Sequence, residues 1–316
     1  MLPLCDLHCD TAYNWYVNNK DFTDDTNHIS LNRVKGIYPY IQVLAHYIAD
    51  DVINKYGHFL DMVKSTQAVL SKTPHFNLCR NYSDILLALK EKKYAAVLSV
   101  EGGGFFGLDE RQNDEIIKSL CDLSILFFSP CYNKGSNVCA GAFCEPDYGL
   151  TRLGEKIINK LVSASIVIDL SHLSHNSCDD ILSIVPVGSV VATHSNCYEL
   201  CEHPRNLYTS QISKIIDKHG LIGINLYPPF LSQNGSAAVN DIVRHILFIL
   251  EKGGSKAVCF GADFDGVETL PLGISGVESM QKVYEALLAH SVPEQTVKDI
   301  FYNNVKEFIN KHFKGV

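Results

Sequence analysis

Residues 2–11 read LPLCDLHCDT, an apolar run that closes on an imidazole and a carboxylate, His8 and Asp10. The run lacks clean alternation of apolar and polar positions, which is how a strand buried on both faces reads. Side chains two apart on a strand point to the same side, so His8 and Asp10 can face one point at its carboxyl end. Working outward, seven more runs of strand length share the pattern, at residues 38–48, 94–100, 123–129, 165–171, 188–194, 220–227 and 257–263.

Helical patterns separate these runs. LTRLGEKIINKLVSAS sets Leu153, Ile157, Ile158 and Leu161 on one face, and VNDIVRHILFILEKGG sets Ile242, Val243, Ile246, Leu247 and Leu250 on another before a stop at Gly253 and Gly254. NYSDILLALKEKK offers Ser83 as an N-cap, and a final helix runs through residues 292–313 with Pro293 in its first turn. Strands alternating with helices predict a parallel α/β architecture, and eight strands close a (β/α)8 TIM barrel. The other candidate is an open doubly wound sheet. It is disfavoured because no glycine-rich phosphate loop follows a strand, and EGGGFFG at 101–107 starts with the wrong charge for a phosphate. A barrel takes about 250 residues plus insertions. Without a linker or a break in composition, residues 1–316 read as one domain.

A net charge of −8 with no Lys/Arg cluster argues against nucleic acid as a partner. The apolar runs are far shorter than the roughly 20 residues of a membrane span. Neither a signal peptide nor a lipidation signal, at NKHFKGV, is expected. The 11 cysteines are odd in number and form no paired C-x-x-C, so they read as reduced thiols in a cytoplasmic protein. A homodimer is compatible with the sequence, which leaves the assembly open.

In a TIM barrel the chemistry sits at the carboxyl ends of the strands. The ends predicted here carry His8 and Asp10, then Glu101 in SVEGGG, Cys131 and Tyr132 in FFSPCYN, His172 in IDLSH, His194 in VATHS, Tyr227 in INLY and Asp263 in GADFDG. Singly, each has a bland reading as a hydrogen-bonded or turn residue. Together, the imidazoles of His8, His172 and His194 and the carboxylates of Asp10 and Glu101 suit Zn²⁺ or a similar divalent transition metal. They are too many for one tetrahedral site. Two ions about 3.5–4 Å apart, sharing a carboxylate, would use them all. Asp263 reads either as a turn residue or as a general base, while Asp265 nearby reads as structural. Arg205, in CEHPRNLY, is either a solvated loop arginine or a bidentate grip on a substrate carboxylate. The remaining histidines read as surface or helix positions.

The set DLHCDT, EGGG, IDLSHLS, ATHSNCYELCEHPRN, INLYPPF and GADFDG resembles, in order and over nearly the whole chain, the membrane (renal-type) dipeptidases. These are metallopeptidases of the amidohydrolase superfamily. The resemblance implies a TIM barrel with two zinc ions, His8 and Asp10 on the first, His172 and His194 on the second, and Glu101 bridging. It implies Asp263 as the acid/base, Arg205 on the C-terminal carboxylate of a dipeptide, and Tyr227 beside the substrate. The implied reaction is dipeptide hydrolysis by a hydroxide shared between the ions. The sequence departs from the family where a T-H-N histidine often follows the fourth strand. FFSPCYNKGSN has none, and Tyr132 is the candidate donor in its place. Lacking a signal peptide and anchor tail, the chain resembles the microbial branch. The alternatives are a metal-dependent hydrolase of a lactone or other cyclic amide, and a non-catalytic metal-binding barrel.

Overall fold

The computed structural model describes residues 1–313, so the end of the NKHFKGV stretch lies outside the described residues. All eight predicted runs contribute strands: β1 (Leu2–Cys9), β2 (Ile37–Tyr47), β4 (Tyr94–Glu101), β5 (Phe127–Phe128), β6 (Val167–Asp169), β7 (Val190–Val191), β8 (Ile222–Ile224) and β9 (Val258–Phe260). An extra short strand, β3 (Phe76–Leu78), pairs in parallel with the start of β4, at Tyr94–Ala96. The strands pair in parallel in the order β7-β6-β5-β4-β2-β1-β9-β8. A bridge between Ala192 and Ile222 joins the two ends of that order. The nearly closed ring of eight parallel strands, with helices between them, is a (β/α)8 TIM barrel and not an open doubly wound sheet.

The apolar periodicity sorts into two layers. Ile157, Ile158 and Leu161 of the helix Arg152–Ser163 and Ile242, Val243, Ile246 and Ile249 of the helix Val239–Glu251 pack between helices and strands. Inside the ring, Cys5, Leu7, Ile41, Val43, Ala95, Val97, Phe127, Val167, Val191 and Cys259 form a second cluster. Val305, Phe308 and Ile309 of the C-terminal helix Asn304–His312 pack against it. Because side chains alternate, Ala95 and Val97 share their face with Ser99 and Glu101. The lumen is therefore apolar low down and ionisable where β4 ends.

Local details differ from the sequence reading. Asn81, not Ser83, caps the helix Tyr82–Lys90, its side chain accepting the Asp84 N–H. Pro293 is the N-cap rather than part of the first turn, and the final helix is broken by a π turn at Asp299–Asn303. That turn buries three successive side chains, Ile300, Phe301 and Tyr302. His46, expected at a surface or helix position, is buried on β2, whereas His245 does lie on a helix, on its buried face. No helix among the described residues is long and apolar enough to cross a membrane.

Candidate metal centre

The end of β1 is not a regular strand. Asp6 pairs with Gln42 and Cys9 with Leu44, so two residues, Leu7 and His8, stand opposite the single Val43. Such a bulge turns consecutive side chains towards one face. Leu7 completes the apolar lumen, while His8, and Asp10 after it, enter the mouth. His8 Nε2 lies 3.9 Å from Asp10 Oδ2, 3.3 Å from Glu101 Oε2 and 3.7 Å from Asp263 Oδ1.

The other Glu101 oxygen faces the opposite way. Its Oε1 is 2.6 Å from His172 Nε2 and 3.8 Å from His194 Nε2. The two imidazole Nε2 atoms are 2.8 Å apart. The structure thus brings together all five residues predicted as ligands, with Glu101 between a His8/Asp10 side and a His172/His194 side. Asp263 joins the first side, and the ligand atoms of His8, Asp10 and Asp263 all lie within 4.8 Å of one another.

Backbone strain positions two of these groups. His172 and Asp263 have φ of 71° and 61°, a left-handed conformation that non-glycine residues seldom adopt and that clusters at functional sites. Asp263 is held by Asn225, whose amide donates to Oδ2 at 2.9 Å. Asp265 behaves as a structural residue, accepting from Thr11 Oγ1 and the His28 N–H at 2.5 Å each. Gly266 leaves room at the centre, because a Cβ there would lie 2.1 Å from Asp10 Oδ2 and 2.5 Å from Asp263 Oδ1.

The cluster is buried and electrostatically frustrated. Burial, then the Asp10 charge, pushes Glu101 up to about 7. Burial also raises Asp263. His172 and His194 are driven well below the usual histidine range by burial and by the positive charges of Arg205 and His8. At His8 burial acts against the charge, but Glu101 and Asp10 overcome it and raise the pKa. His8 Nε2, Asp10 Oδ1 and Glu101 Oε2 have no hydrogen-bond partner. Buried polar atoms normally find one, and unpaired buried carboxylates are costly. A donor set of imidazole nitrogens and carboxylate oxygens, with lone pairs converging and left unsatisfied, fits divalent cations.

The predicted substrate residues lie around this cluster. Arg205 is buried, with Nε and Nη2 unpartnered, and its guanidinium sits 5.4 Å from the centre of the Phe230 ring. Tyr132, on the loop after β5, has its ring 4.4 Å from that of His172 and 4.8 Å from that of Tyr47. Burial and Glu101 raise the Tyr132 phenol far above its ordinary value, which keeps it a protonated donor. Tyr227 stands outside the cluster, against Phe230 at 4.9 Å, with its hydroxyl interacting with Glu268.

Asn133, Asp169, Thr193 and Asn225, which hold the histidines and Asp263, are absent from the sequence reading. The available signal is position. Asp169 lies inside IDLSH, and Thr193 immediately precedes His194.

Comparison with known proteins identifies a family. Residues 1–311 match a family described as membrane dipeptidase (Peptidase family M19). A Klebsiella pneumoniae protein, described as an uncharacterized protein in the pqqA 5' region, is 29% identical over 248 residues, or 75% of this chain and 89% of that one. A Rhodobacter sphaeroides metallopeptidase, solved with a phosphinate mimic of the dipeptide L-Ala-D-Ala, superposes with a TM-score of 0.88 over 98% of this chain and 99% of that one, at 22% identity. A dipeptidase AC, described as an M19 metallopeptidase, gives a TM-score of 0.89 over 99% of both chains, also at 22% identity. At such identities the two structures speak to the fold.

Proposed function

Because this chain belongs to the membrane dipeptidase family, Peptidase family M19, we propose that it is a metal-dependent dipeptidase carrying two Zn²⁺ ions at the barrel mouth. The observation that carries this reading is the split of Glu101, with Oε2 towards His8 at 3.3 Å and Oε1 towards His172 at 2.6 Å. In it, His8 and Asp10 would hold one ion, His172 and His194 the other, and Glu101 would reach both. When bound, such a pair supplies a lowered water pKa and Lewis-acid polarisation of the scissile carbonyl.

The chain's own groups do the rest. Asp263, raised by burial and within 3.7 Å of His8 Nε2, takes the proton of the attacking water and returns it to the leaving amine. The Asn225 amide holds Asp263 Oδ2 in place for both transfers. Tyr132 donates from its half-buried hydroxyl to the carbonyl oxygen, the part played in many relatives by the absent histidine. Arg205, with two unpartnered nitrogens, grips the carboxylate of the substrate's far end. An unsatisfied buried guanidinium favours a short peptide with a free carboxylate over a neutral lactone. Tyr227 and Phe230 wall the same end. The free cysteines, mostly buried, support a reducing compartment such as the cytoplasm.

The test is turnover of a dipeptide panel by the full chain, with metal measured on the same sample. Chelation should abolish hydrolysis of free-carboxylate dipeptides, including L-D pairs, and added Zn²⁺ should restore it. Hydrolysis that survives complete metal removal would overturn the reading.

A further inference from the structure

His194 is held from behind by two buried residues with no place in the proposed chemistry. Thr193 Oγ1 lies 2.5 Å from Asp169 Oδ2 and 2.8 Å from His194 Nδ1. Asp169 Oδ1 accepts the backbone N–H groups of Ser171 at 3.0 Å and Thr193 at 2.8 Å. Ser171 Oγ accepts the His194 N–H at 3.0 Å. Asp169, Thr193 and His194 are 3%, 1% and 0% exposed, so no solvent competes for these bonds.

Counting protons fixes their direction. An ionised carboxylate only accepts, and a hydroxyl has one proton to give. Thr193 therefore donates to Asp169 and accepts from His194 Nδ1–H. The imidazole proton sits on Nδ1, and the Nε2 lone pair points into the mouth. On the facing ring, His172 Nδ1 lies 2.9 Å from Asn133 Oδ1, an acceptor that likewise places the proton on Nδ1. Two Nε2 lone pairs then face each other across 2.8 Å, an arrangement that a divalent cation resolves.

We propose that Asp169 and Thr193 are positioning residues that set the tautomer of His194, and that the tautomer sets the affinity of the His172/His194 side for a divalent transition cation. This rests on the reading of these residues as metal ligands. The relay is a carboxylate–hydroxyl–imidazole chain in place of a carboxylate bonded directly to the ligating ring. It makes a distinctive prediction for Asp169→Asn. The amide oxygen must stay on the two backbone N–H groups, which leaves the amide nitrogen facing Thr193 as a donor. The Thr193 proton then turns to His194 Nδ1, the imidazole proton moves to Nε2, and the metal-facing lone pair is lost although every heavy atom remains.

The experiment titrates Zn²⁺ into the metal-free full chain and its folded variants. Asp169→Asn and Thr193→Val should each weaken one of two Zn²⁺ sites by about 10–100-fold, leaving the other within about threefold. Thr193→Ser, which keeps the hydroxyl, should bind both ions as the wild type does. ¹⁵N NMR of the wild-type histidines should show the His194 proton on Nδ1, a readout that needs no variant to fold. Variants that bind both ions like wild type, a Thr193→Ser as weak as Thr193→Val, or a His194 protonated on Nε2 would each overturn the relay alone. A wild type that binds no Zn²⁺ would overturn the metal reading and the relay together.

Discussion

The proposed function gives Asp263 and Arg205 different tasks beside the cluster, so their variants should fail differently. Asp263 is only slightly exposed, raised in pKa and oriented by Asn225, which suits the proton transfers proposed for it. Asp263→Asn should lower kcat by about 10²–10⁴-fold, with metal content at the wild-type level. Turnover and metal analysis on one preparation check this, and undiminished turnover would remove Asp263 from proton transfer. The part proposed for Arg205 is in binding. Arg205→Ala should raise KM about 10–100-fold for dipeptides with a free carboxylate, the loss of a charge-assisted hydrogen bond, and leave carboxyl-amidated dipeptides nearly unaffected. Equal effects on both substrate forms would argue against the clamp. The residues with metal-type side chains were legible in the sequence because three histidines and two carboxylates at four strand ends are hard to explain separately. Thr193 and Asn133 were not, because an uncharged side chain shows its purpose only through the partner it meets in space.

At the scale of elements, the turn after β9 brings Asp263, Asp265 and Gly266 against the start of the helix Thr11–Asn18, which follows Asp10. Only a residue without Cβ fits at 266, since the added carbon would press on both Asp10 and Asp263. Gly266→Ala should therefore displace two carboxylates and cut turnover by about 10²-fold, as ångström-scale misplacement does. Its melting temperature should stay close to wild type, because the clash is with two side chains at the mouth and not with the core. Turnover above half of wild type would show that the carboxylates yield without cost. The strands were legible because burial on both faces leaves unbroken apolar runs. The bulge in β1 was not. Simple alternation puts His8 on the same face as Leu4, which packs in the helix-facing layer, and only pairing with β2 reveals the extra residue that turns His8 inward. The helix Glu110–Asp122, ERQNDEIIKSLCD, also escaped the sequence reading, since its polar face outweighs its few apolar contacts.

For the whole molecule, buried histidines couple stability to pH away from the metal centre. His245, on the helix Val239–Glu251, accepts the Cys197 N–H at Nδ1 (3.1 Å) and bonds the Leu231 carbonyl through Nε2 (3.1 Å). It thereby ties that helix to the loop after His194. Burial pushes it down from 6.5 to about 4. Its folded pKa lies below its unfolded one, so the unfolded chain binds the extra proton first. The stability it contributes is complete above about 6.5 and is lost as pH falls towards 4, by about 3 kcal/mol at most. Chemical unfolding of wild type should show that decline, and His245→Gln should flatten it while lowering stability at pH 7. A His245→Gln curve parallel to wild type would rule out this residue as the source. The barrel itself was legible from eight buried runs. The closure between β7 and β8 was not, since it rests on one bridge beyond the end of a two-residue strand.

The central claim is that Glu101 stands between two cations, and anomalous diffraction at the zinc edge, from crystals of the full chain grown with Zn²⁺, tests it most directly. The account predicts two peaks on opposite sides of the Glu101 carboxylate, one beside His8 and Asp10 and the other beside His172 and His194. A single peak, or none within reach of Glu101, would contradict it.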